Sequence, residues 1–254
     1  MRYFEDEISG IDGSTATFVG YCLDNSSGID PNRKRPSVLV IPGGGYEMTS
    51  DREAEPIAMQ FLAAGFNAFV LRYSVKPSIF PVALLEAAEA MRRIRTHADE
   101  WHCDADAIAV IGFSAGGHLA AMSSVSCKGA ACPDFSVLVY PNITMMQEES
   151  QPKSSCRNNL IGPARSVKYD TTFSAYKHVS LTTPPAFLAV SAGDEYAGSL
   201  GSMLYARAMI ENARPVTLHV YESGNHGWGA ESSADFPDGD NFRTDLSMWL
   251  KKIK

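Results

Sequence analysis

The pentapeptide Gly112-Phe-Ser114-Ala-Gly116 is the clearest chemical signal in the sequence. It fits the G-x-S-x-G pattern, in which a serine occupies a sharp turn between a strand and a helix and presents its Oγ above a sheet. An apolar run ends at Ile111 and a helix is predicted from about Ala115, so the context has this arrangement. We predict that Ser114 is a nucleophile and that the Ala115 N–H, at a helix N-terminus, binds an oxyanion.

A second glycine-rich loop follows an earlier apolar run that ends at Ile41. Consecutive glycines let a backbone turn its N–H groups toward a ligand, because no Cβ stands in the way. We predict Gly43 and Gly44 as further oxyanion donors, with Gly45 as the alternative. No Gly-Lys-Ser/Thr or G-x-G-x-x-G pattern accompanies the loop, which disfavours a nucleotide site.

A general base is expected among the six histidines. His226 lies in a loop just after the last predicted strand, and in this type of fold the base comes last in the chain, after the serine and the acid. His118 follows Ser114 by one helical turn and should point away from it. His178 lies in an irregular segment and stays open. The remaining histidines lie at the end of a surface helix or inside a strand: His97, His102 and His219.

The acid that orients the base is expected just past the penultimate strand, in Val190-Ser-Ala-Gly-Asp194-Glu195. A carboxylate there can reach the His226 loop, hold the imidazole tautomer and stabilise the imidazolium. Spacing does not decide between Asp194 and Glu195. Glu222 is closer to His226 in sequence, but it lies within or at the end of a strand.

Strands and helices that could position these residues alternate along the chain. Continuous apolar runs are typical of parallel strands buried on both faces, and helical patterns separate them. The alternation predicts an α/β doubly wound sheet in a single domain, 1–254, with an antiparallel edge strand at 16–22. The predicted strands are 37–41, 67–71, 107–111, 136–140, 186–190 and 216–221. The predicted helices are 55–64, 82–100, 115–126, 200–213 and 241–253.

The segment from Asn142 to about Thr183 interrupts this alternation. It is polar, contains prolines and lacks clean periodicity. Connections this long inside a compact domain are usually functional, so we predict a lid or cap, with a disordered surface loop as the alternative.

The formal net charge of −7 disfavours nucleic acid and anionic membranes as partners. The N-terminus lacks the apolar core of a signal peptide, and no apolar run approaches the length of a membrane span. The odd number of cysteines, none in a C-x-x-C pair, favours free thiols in a reducing compartment, so we predict a cytoplasmic protein. The five are Cys22, Cys103, Cys127, Cys132 and Cys156. Assembly into a homo-oligomer is left open.

Jointly, these features resemble the small bacterial α/β-hydrolases known as acetyl esterases or acetyl-xylan esterases, related to the hormone-sensitive-lipase-like group. The resemblance covers nearly the whole chain. The segments that carry it are Pro42–Tyr46, Ser50–Glu53, Phe69–Tyr73, Gly112–Ala120, Pro184–Leu188 and His226–Gly229.

The resemblance implies an α/β-hydrolase fold and a substrate that is a short-chain acyl ester, with acetylated sugars or oligosaccharides as the substrate class. It places the catalytic aspartate at Asp194 rather than Glu195, and it makes the 142–183 segment a cap over the site. The chain departs from the family after this aspartate. It has Asp194-Glu-Tyr-Ala-Gly198 in place of an apolar Asp-x-x-Val-Pro turn, which leaves the local loop shape and part of the acyl pocket open.

These residues predict a two-step acyl transfer that needs neither a metal nor a cofactor. Tyr46, Met48 and Trp228 neighbour the predicted site in sequence and are candidates for the walls of an acyl pocket. Two alternatives are a peptidase on the same fold and a non-catalytic binding protein on a hydrolase scaffold. The absence of an extra domain to thread a peptide weighs against the first. The presence of all three triad residues weighs against the second.

Overall fold

The computed structural model describes residues 1–151, 153–164, 166–229, 231–234 and 236–251. Within these residues the strands form one eight-stranded sheet in the order β1-β2-β4-β3-β5-β6-β7-β8. The strands are β1 (Arg2–Ser9), β2 (Thr15–Cys22), β3 (Arg35–Ile41), β4 (Asn67–Arg72), β5 (Cys103–Phe113), β6 (Phe135–Val139), β7 (Ala186–Ser191) and β8 (Val216–Tyr221). The helices are α1 (Glu55–Ala63), α2 (Val82–Thr96), α3 (Ser114–Ser126), α4 (Cys156–Ile161), α5 (Val167–Thr172), α6 (Ser199–Glu211) and α7 (Gly239–Leu250).

The strands from β3 to β8 are parallel, and helices cover both faces of the sheet, as the continuous apolar runs predicted. Side chains along a strand point alternately to its two faces. In β3, Leu39 and Ile41 belong to the buried cluster on the face covered by α2, α3 and α6, whereas Val38 and Val40 belong to the cluster on the face covered by α1 and α7. The doubly wound α/β fold is therefore confirmed, and the carboxyl ends of its central strands meet at one edge.

The predicted helices are confirmed as α1, α2, α3, α6 and α7, with ends shifted by a few residues. The clearest shift is in α2, which ends at Thr96 rather than near Glu100. Ile253, the predicted end of the last helix, lies outside the described residues. In the described part of the chain, no helix is both long and apolar enough to cross a membrane.

Strand β1 was not predicted, and it changes the position of β2 in the sheet. Strand β2 is antiparallel, as expected, but it lies between β1 and β4, so β1 forms the edge. The prediction that 16–22 is the edge strand is therefore wrong. Most β1 side chains are exposed and several are charged, as is common in edge strands. Backbone pairing forms this strand, so no apolar pattern marks it in the sequence.

Cys127 and Cys132 form a disulfide, so the prediction that all five cysteines are free thiols is wrong for this pair. A tight 3-10 turn, Gly129–Ala131, brings their Cα atoms to 5.0 Å. That separation lies within the usual range for a disulfide. Cys22, Cys103 and Cys156 are free and buried.

Candidate active site

Ser114 is the first residue of α3 and directly follows β5. Its φ of 52° is in the left-handed region, which a residue with a side chain adopts only under constraint. Close packing around the turn supplies that constraint. A Cβ at Gly116 would lie 2.2 Å from the Ile41 carbonyl oxygen, and one at Gly112 would lie 2.2 Å from the Gly116 carbonyl oxygen. The structure therefore has the strained strand-to-helix turn that the sequence motif predicted.

His226 lies in the loop after β8, and its imidazole contacts both other members of the predicted triad. Its Nε2 is 2.7 Å from Ser114 Oγ, and its Nδ1 is 2.8 Å from Asp194 Oδ2. Because a carboxylate only accepts, the proton belongs on Nδ1. Nε2 then presents a lone pair to the Ser114 hydroxyl, which is the arrangement that a general base requires.

Asp194 lies in the loop after β7, and its side chain is fully buried. Its Oδ1 accepts the backbone N–H groups of Tyr196 at 2.9 Å and Ala197 at 2.8 Å. Burial alone would raise the pKa of Asp194, but the hydrogen bonds from His226 and from these N–H groups outweigh it and lower the pKa below its ordinary value. Glu195, the alternative acid, has a side chain that is 57% exposed and pairs with Lys153. The contacts are those expected of Asp194 as the acid.

The glycine loop after β3 differs from the prediction at Gly43. The Gly43 N–H donates to Glu53 Oε2 at 2.8 Å, so it has no free N–H for an oxyanion and the prediction for this residue is wrong. Gly44 and Gly45 line the cavity beside Ser114, and within the described residues their N–H groups have no protein acceptor. Both have a positive φ that favours glycine. The candidate donors are therefore Gly44, the alternative Gly45, and Ala115 in the first turn of α3.

A cavity of about 390 Å³ opens above Ser114. Gly44, Gly45 and His226 line it, as do residues 153–156. Asn142, which follows β6, also lines this cavity and is not among the residues predicted from the sequence. Its Nδ2 is 3.5 Å from Ser114 Oγ, and its Oδ1 accepts a hydrogen bond from Ser154. A polar residue just past the carboxyl end of a parallel strand is a signal that could have identified it.

Tyr46 and Trp228, predicted as walls of an acyl pocket, are core residues instead. Tyr46 is buried and bonds His118, while Trp228 stacks on Phe236 with ring centroids 3.8 Å apart. The loops that carry them turn these side chains away from the cavity. Met48, the third candidate, does line it.

His118 is a packed helix residue, as predicted. Its Nε2–H donates to the Phe173 carbonyl oxygen, and its Nδ1 accepts the Tyr46 hydroxyl proton, both at 2.8 Å. Burial lowers the pKa of His118 to about 4. His178, which the sequence left open as a possible base, forms hydrogen bonds with backbone carbonyls of α5 and does not line the cavity. Among the described side chains, no group of three or more histidine, cysteine, aspartate or glutamate residues could hold a metal ion.

Comparison with known proteins relates this chain to esterases. A sequence model of the BD-FAE family matches residues 29–206. An acetylxylan esterase from Xylanibacter ruminicola is 30% identical over 250 residues, which cover 95% of this chain and 49% of that protein. The chain thus spans about half the length of this curated relative.

Two solved structures share the fold over nearly their whole length. An acetyl ester-xyloside bifunctional hydrolase from Caldicellulosiruptor lactoaceticus superposes with a TM-score of 0.85 and 30% identity, over 94% of this chain and 89% of that chain. The carboxylesterase Cest-2923 from Lactobacillus plantarum has a TM-score of 0.85 and 26% identity, over 99% and 98% of the two chains. The match over residues 29–206 shows that the chain belongs to the BD-FAE family, among the α/β-hydrolase esterases.

Proposed function

We propose that the chain is a serine carboxylesterase that removes short acyl groups, chiefly acetyl, from sugars or xylo-oligosaccharides. The observation that carries this proposal is the continuous hydrogen-bonded series from Ser114 Oγ through His226 to Asp194 beneath an open cavity. The names of the relatives support an ester as the substrate, since one is an acetylxylan esterase and another an acetyl ester-xyloside bifunctional hydrolase.

The proposed reaction is an acyl transfer in two steps. His226 Nε2 takes the proton of Ser114 as Oγ attacks the ester carbonyl carbon. The N–H groups of Gly44, Gly45 and Ala115 surround the place where negative charge develops on the carbonyl oxygen. His226 then returns the proton to the departing alcohol, which leaves an acyl group on Ser114. Water, deprotonated by His226, then attacks the acyl carbon. The bond from this carbon to Ser114 Oγ breaks, Oγ takes the proton back from His226, and the acid is released.

The alcohol half of the substrate must lie beside His226, because His226 protonates it. Tyr196 is there, 45% exposed, with its ring centroid 5.6 Å from that of His226. Lys153 and Ser154 add polar groups to the same part of the wall. An aromatic face with polar groups around it suits a pyranose ring, whose C–H faces stack and whose hydroxyls form hydrogen bonds. Tyr196 belongs to the turn in which this chain departs from the family pattern.

We propose that residues 142–183 form a cap held in place over the site. Asn159 Nδ2 donates to the Gly45 carbonyl oxygen at 2.7 Å, and the Phe173 carbonyl accepts from His118 on α3. A buried ion pair between Arg157 and Asp170, at 2.6 Å, links α4 to α5. These contacts favour a fixed wall over a lid that opens and closes.

The cytoplasmic location inferred from the sequence stays a prediction. The Cys127–Cys132 bond counts against it, because disulfides persist mainly in oxidising compartments.

The substrate proposal is tested by the hydrolysis of p-nitrophenyl esters from acetate to octanoate beside acetylated xylo-oligosaccharides. We expect kcat/KM to be highest for acetyl among the acyl chains, and the oligosaccharides to be deacetylated. A preference for octanoate would contradict the acyl assignment, and intact oligosaccharides would contradict the alcohol assignment. A panel of fluorogenic peptides, run in parallel, should show no turnover.

A further inference from the structure

Glu53 is a buried carboxylate beside the site that the reaction described above does not use. It ends the 3-10 turn Asp51–Glu53 and is 3% exposed. In the part of the chain that the structure describes, no cationic side chain forms an ion pair with it. Its two oxygens instead accept hydrogen bonds from the Gly43 N–H, at 2.8 Å, and from the Tyr140 hydroxyl, at 2.6 Å. A carboxylate buried without a cation is costly, which indicates that the protein needs two hydrogen-bond acceptors at this point.

On one side, Glu53 fixes the peptide group that precedes the candidate oxyanion donors. Gly43 lies between the carboxylate and the nucleophile, since a Cβ there would be 2.7 Å from Glu53 Oε2 and 2.9 Å from Ser114 Cβ. The Gly43 carbonyl accepts the Ser50 N–H at 3.0 Å, so both polar groups of this residue have partners. The orientation of Gly44, the next residue, depends on this arrangement.

On the other side, Glu53 reaches the loop that carries the base. Tyr140, just after β6, donates its hydroxyl proton to Glu53 and accepts the Gly229 N–H at 2.8 Å. Its buried ring also packs edge-on against His226, with centroids 4.9 Å apart. Glu53 and Tyr140 therefore connect the glycine loop after β3 to the histidine loop after β8, and Ser114 lies between these two loops.

We propose that Glu53 is a positioning residue for ester hydrolysis: through Gly43 and Tyr140, it holds the oxyanion donors and His226 in their places on either side of Ser114. This inference rests on the proposed esterase function. This positioning role requires a carboxylate rather than an amide at residue 53. A glutamine has one acceptor and one donor in the same space, so it would turn an N–H toward the Gly43 N–H or leave the Tyr140 proton without an acceptor.

The test compares Glu53→Gln with Glu86→Gln, a matched control in the same chain. Glu86 is also a buried carboxylate that accepts an N–H and a hydroxyl, both from Ser74, at 2.7 and 2.5 Å, but it does not line the cavity above Ser114. For p-nitrophenyl acetate, we expect E53Q to lower kcat about 10- to 100-fold, less than the loss of a whole oxyanion donor, with KM within about twofold. The kcat of E86Q should stay within about twofold, while both variants lose similar thermal stability.

Tyr140→Phe provides a second, independent variant, because it removes the hydroxyl and keeps the ring. It should also lower kcat at nearly constant KM. Since both residues act through one series of contacts, the loss in the double variant should be smaller than the product of the two single losses. The affinity for phenylboronic acid, whose tetrahedral adduct places an oxygen among the oxyanion donors, should fall together with kcat.

An E53Q enzyme that is folded and retains kcat within twofold would overturn the proposal, as would an equal loss in E86Q or fully multiplicative losses in the double variant. Should E53Q fail to fold, an unchanged kcat in Y140F would overturn it. A parent protein that hydrolyses no ester would instead overturn the proposed function, so the two failures are distinguishable.

Discussion

Asp194 Oδ2 accepts the Nδ1–H of His226 at 2.8 Å, between the loops that follow β7 and β8. Two backbone N–H groups from residues 196 and 197 hold the other carboxylate oxygen, Oδ1. The loop that carries Asp194 therefore orients its carboxylate independently of the contact with His226. The pKa of Asp194, lowered as described above, keeps it a carboxylate at neutral pH.

Asp194→Asn should lower kcat by about 10³- to 10⁴-fold with little change in KM. The amide has the same shape, but it can present an N–H to Nδ1 and so favour the imidazole tautomer that cannot accept the serine proton. The measurement is the steady-state hydrolysis of p-nitrophenyl acetate. Glu195→Gln is the control, because that side chain points outward to Lys153, and its kcat should stay within about twofold of the parent. The reverse ranking of the two variants would show that Glu195 is the acid.

Tyr196→Ala should weaken the binding of the sugar half of the substrate and leave the hydrolysis of a simple acetyl ester nearly unchanged. Because the ring lies where we propose that the alcohol leaves, we expect KM for acetylated xylo-oligosaccharides to rise about 5- to 12-fold, which corresponds to the roughly 1–1.5 kcal/mol of one aromatic stacking contact. The rate with p-nitrophenyl acetate should change by less than about threefold. Tyr196→Phe, which keeps the ring, should retain most of the oligosaccharide affinity. Equal losses for both substrates in Y196A would argue against a sugar platform.

Much of the fold and the contact between Ser114 and His226 could be predicted because the sequence signals are local, whereas Asp194 was preferred over Glu195 only through the family resemblance. Continuous apolar runs predicted the parallel strands, and the five residues of the G-x-S-x-G motif were enough to predict the strand-to-helix turn. Ser114 and His226 were identified from their places after predicted strands. Strand β1 was missed because an edge strand is formed by backbone pairing, which leaves little trace in side-chain pattern.

The wrong predictions for site residues have two physical causes. Some contacts join segments that are distant along the chain, and some loops direct side chains away from the cavity. Gly43 looked like an oxyanion donor because nothing in its own loop shows that Glu53 folds back to take its N–H. Tyr46 and Trp228 are close to site residues in sequence, yet their loops direct both rings into the core. Asn142 reaches Ser114 only because β5 and β6 are neighbours in the sheet.

The buried His118 should make the fold sensitive to acid. In the folded protein its pKa is lowered to about 4, whereas a histidine in an unfolded chain has an ordinary pKa of about 6.5. Between these values the unfolded state binds a proton that the folded state does not bind, so the free energy of unfolding should fall as the pH drops from about 6.5 to about 4. The contribution of this residue over that range is about 3 kcal/mol.

His118→Gln tests this contribution because glutamine can accept from the Tyr46 hydroxyl and donate to the Phe173 carbonyl without titrating. Urea unfolding at a series of pH values should show a stability loss between pH 6.5 and 4 that is smaller than in the parent by up to about 3 kcal/mol. If the free energy of unfolding changes with pH in the same way in both proteins, folding does not lower the pKa of the buried imidazole.

The assignment of Ser114 as the nucleophile is the central claim, and a covalent label tests it directly. The protein is treated with an organophosphate such as paraoxon, digested, and its peptides are analysed by mass spectrometry beside those of Ser114→Ala. We expect loss of p-nitrophenyl acetate hydrolysis in step with one phosphoryl adduct on the peptide that contains Ser114. The folded S114A protein should show neither adduct nor turnover. Turnover by S114A at a rate near that of the parent, or an adduct on a different residue that accounts for the inhibition, would contradict the account.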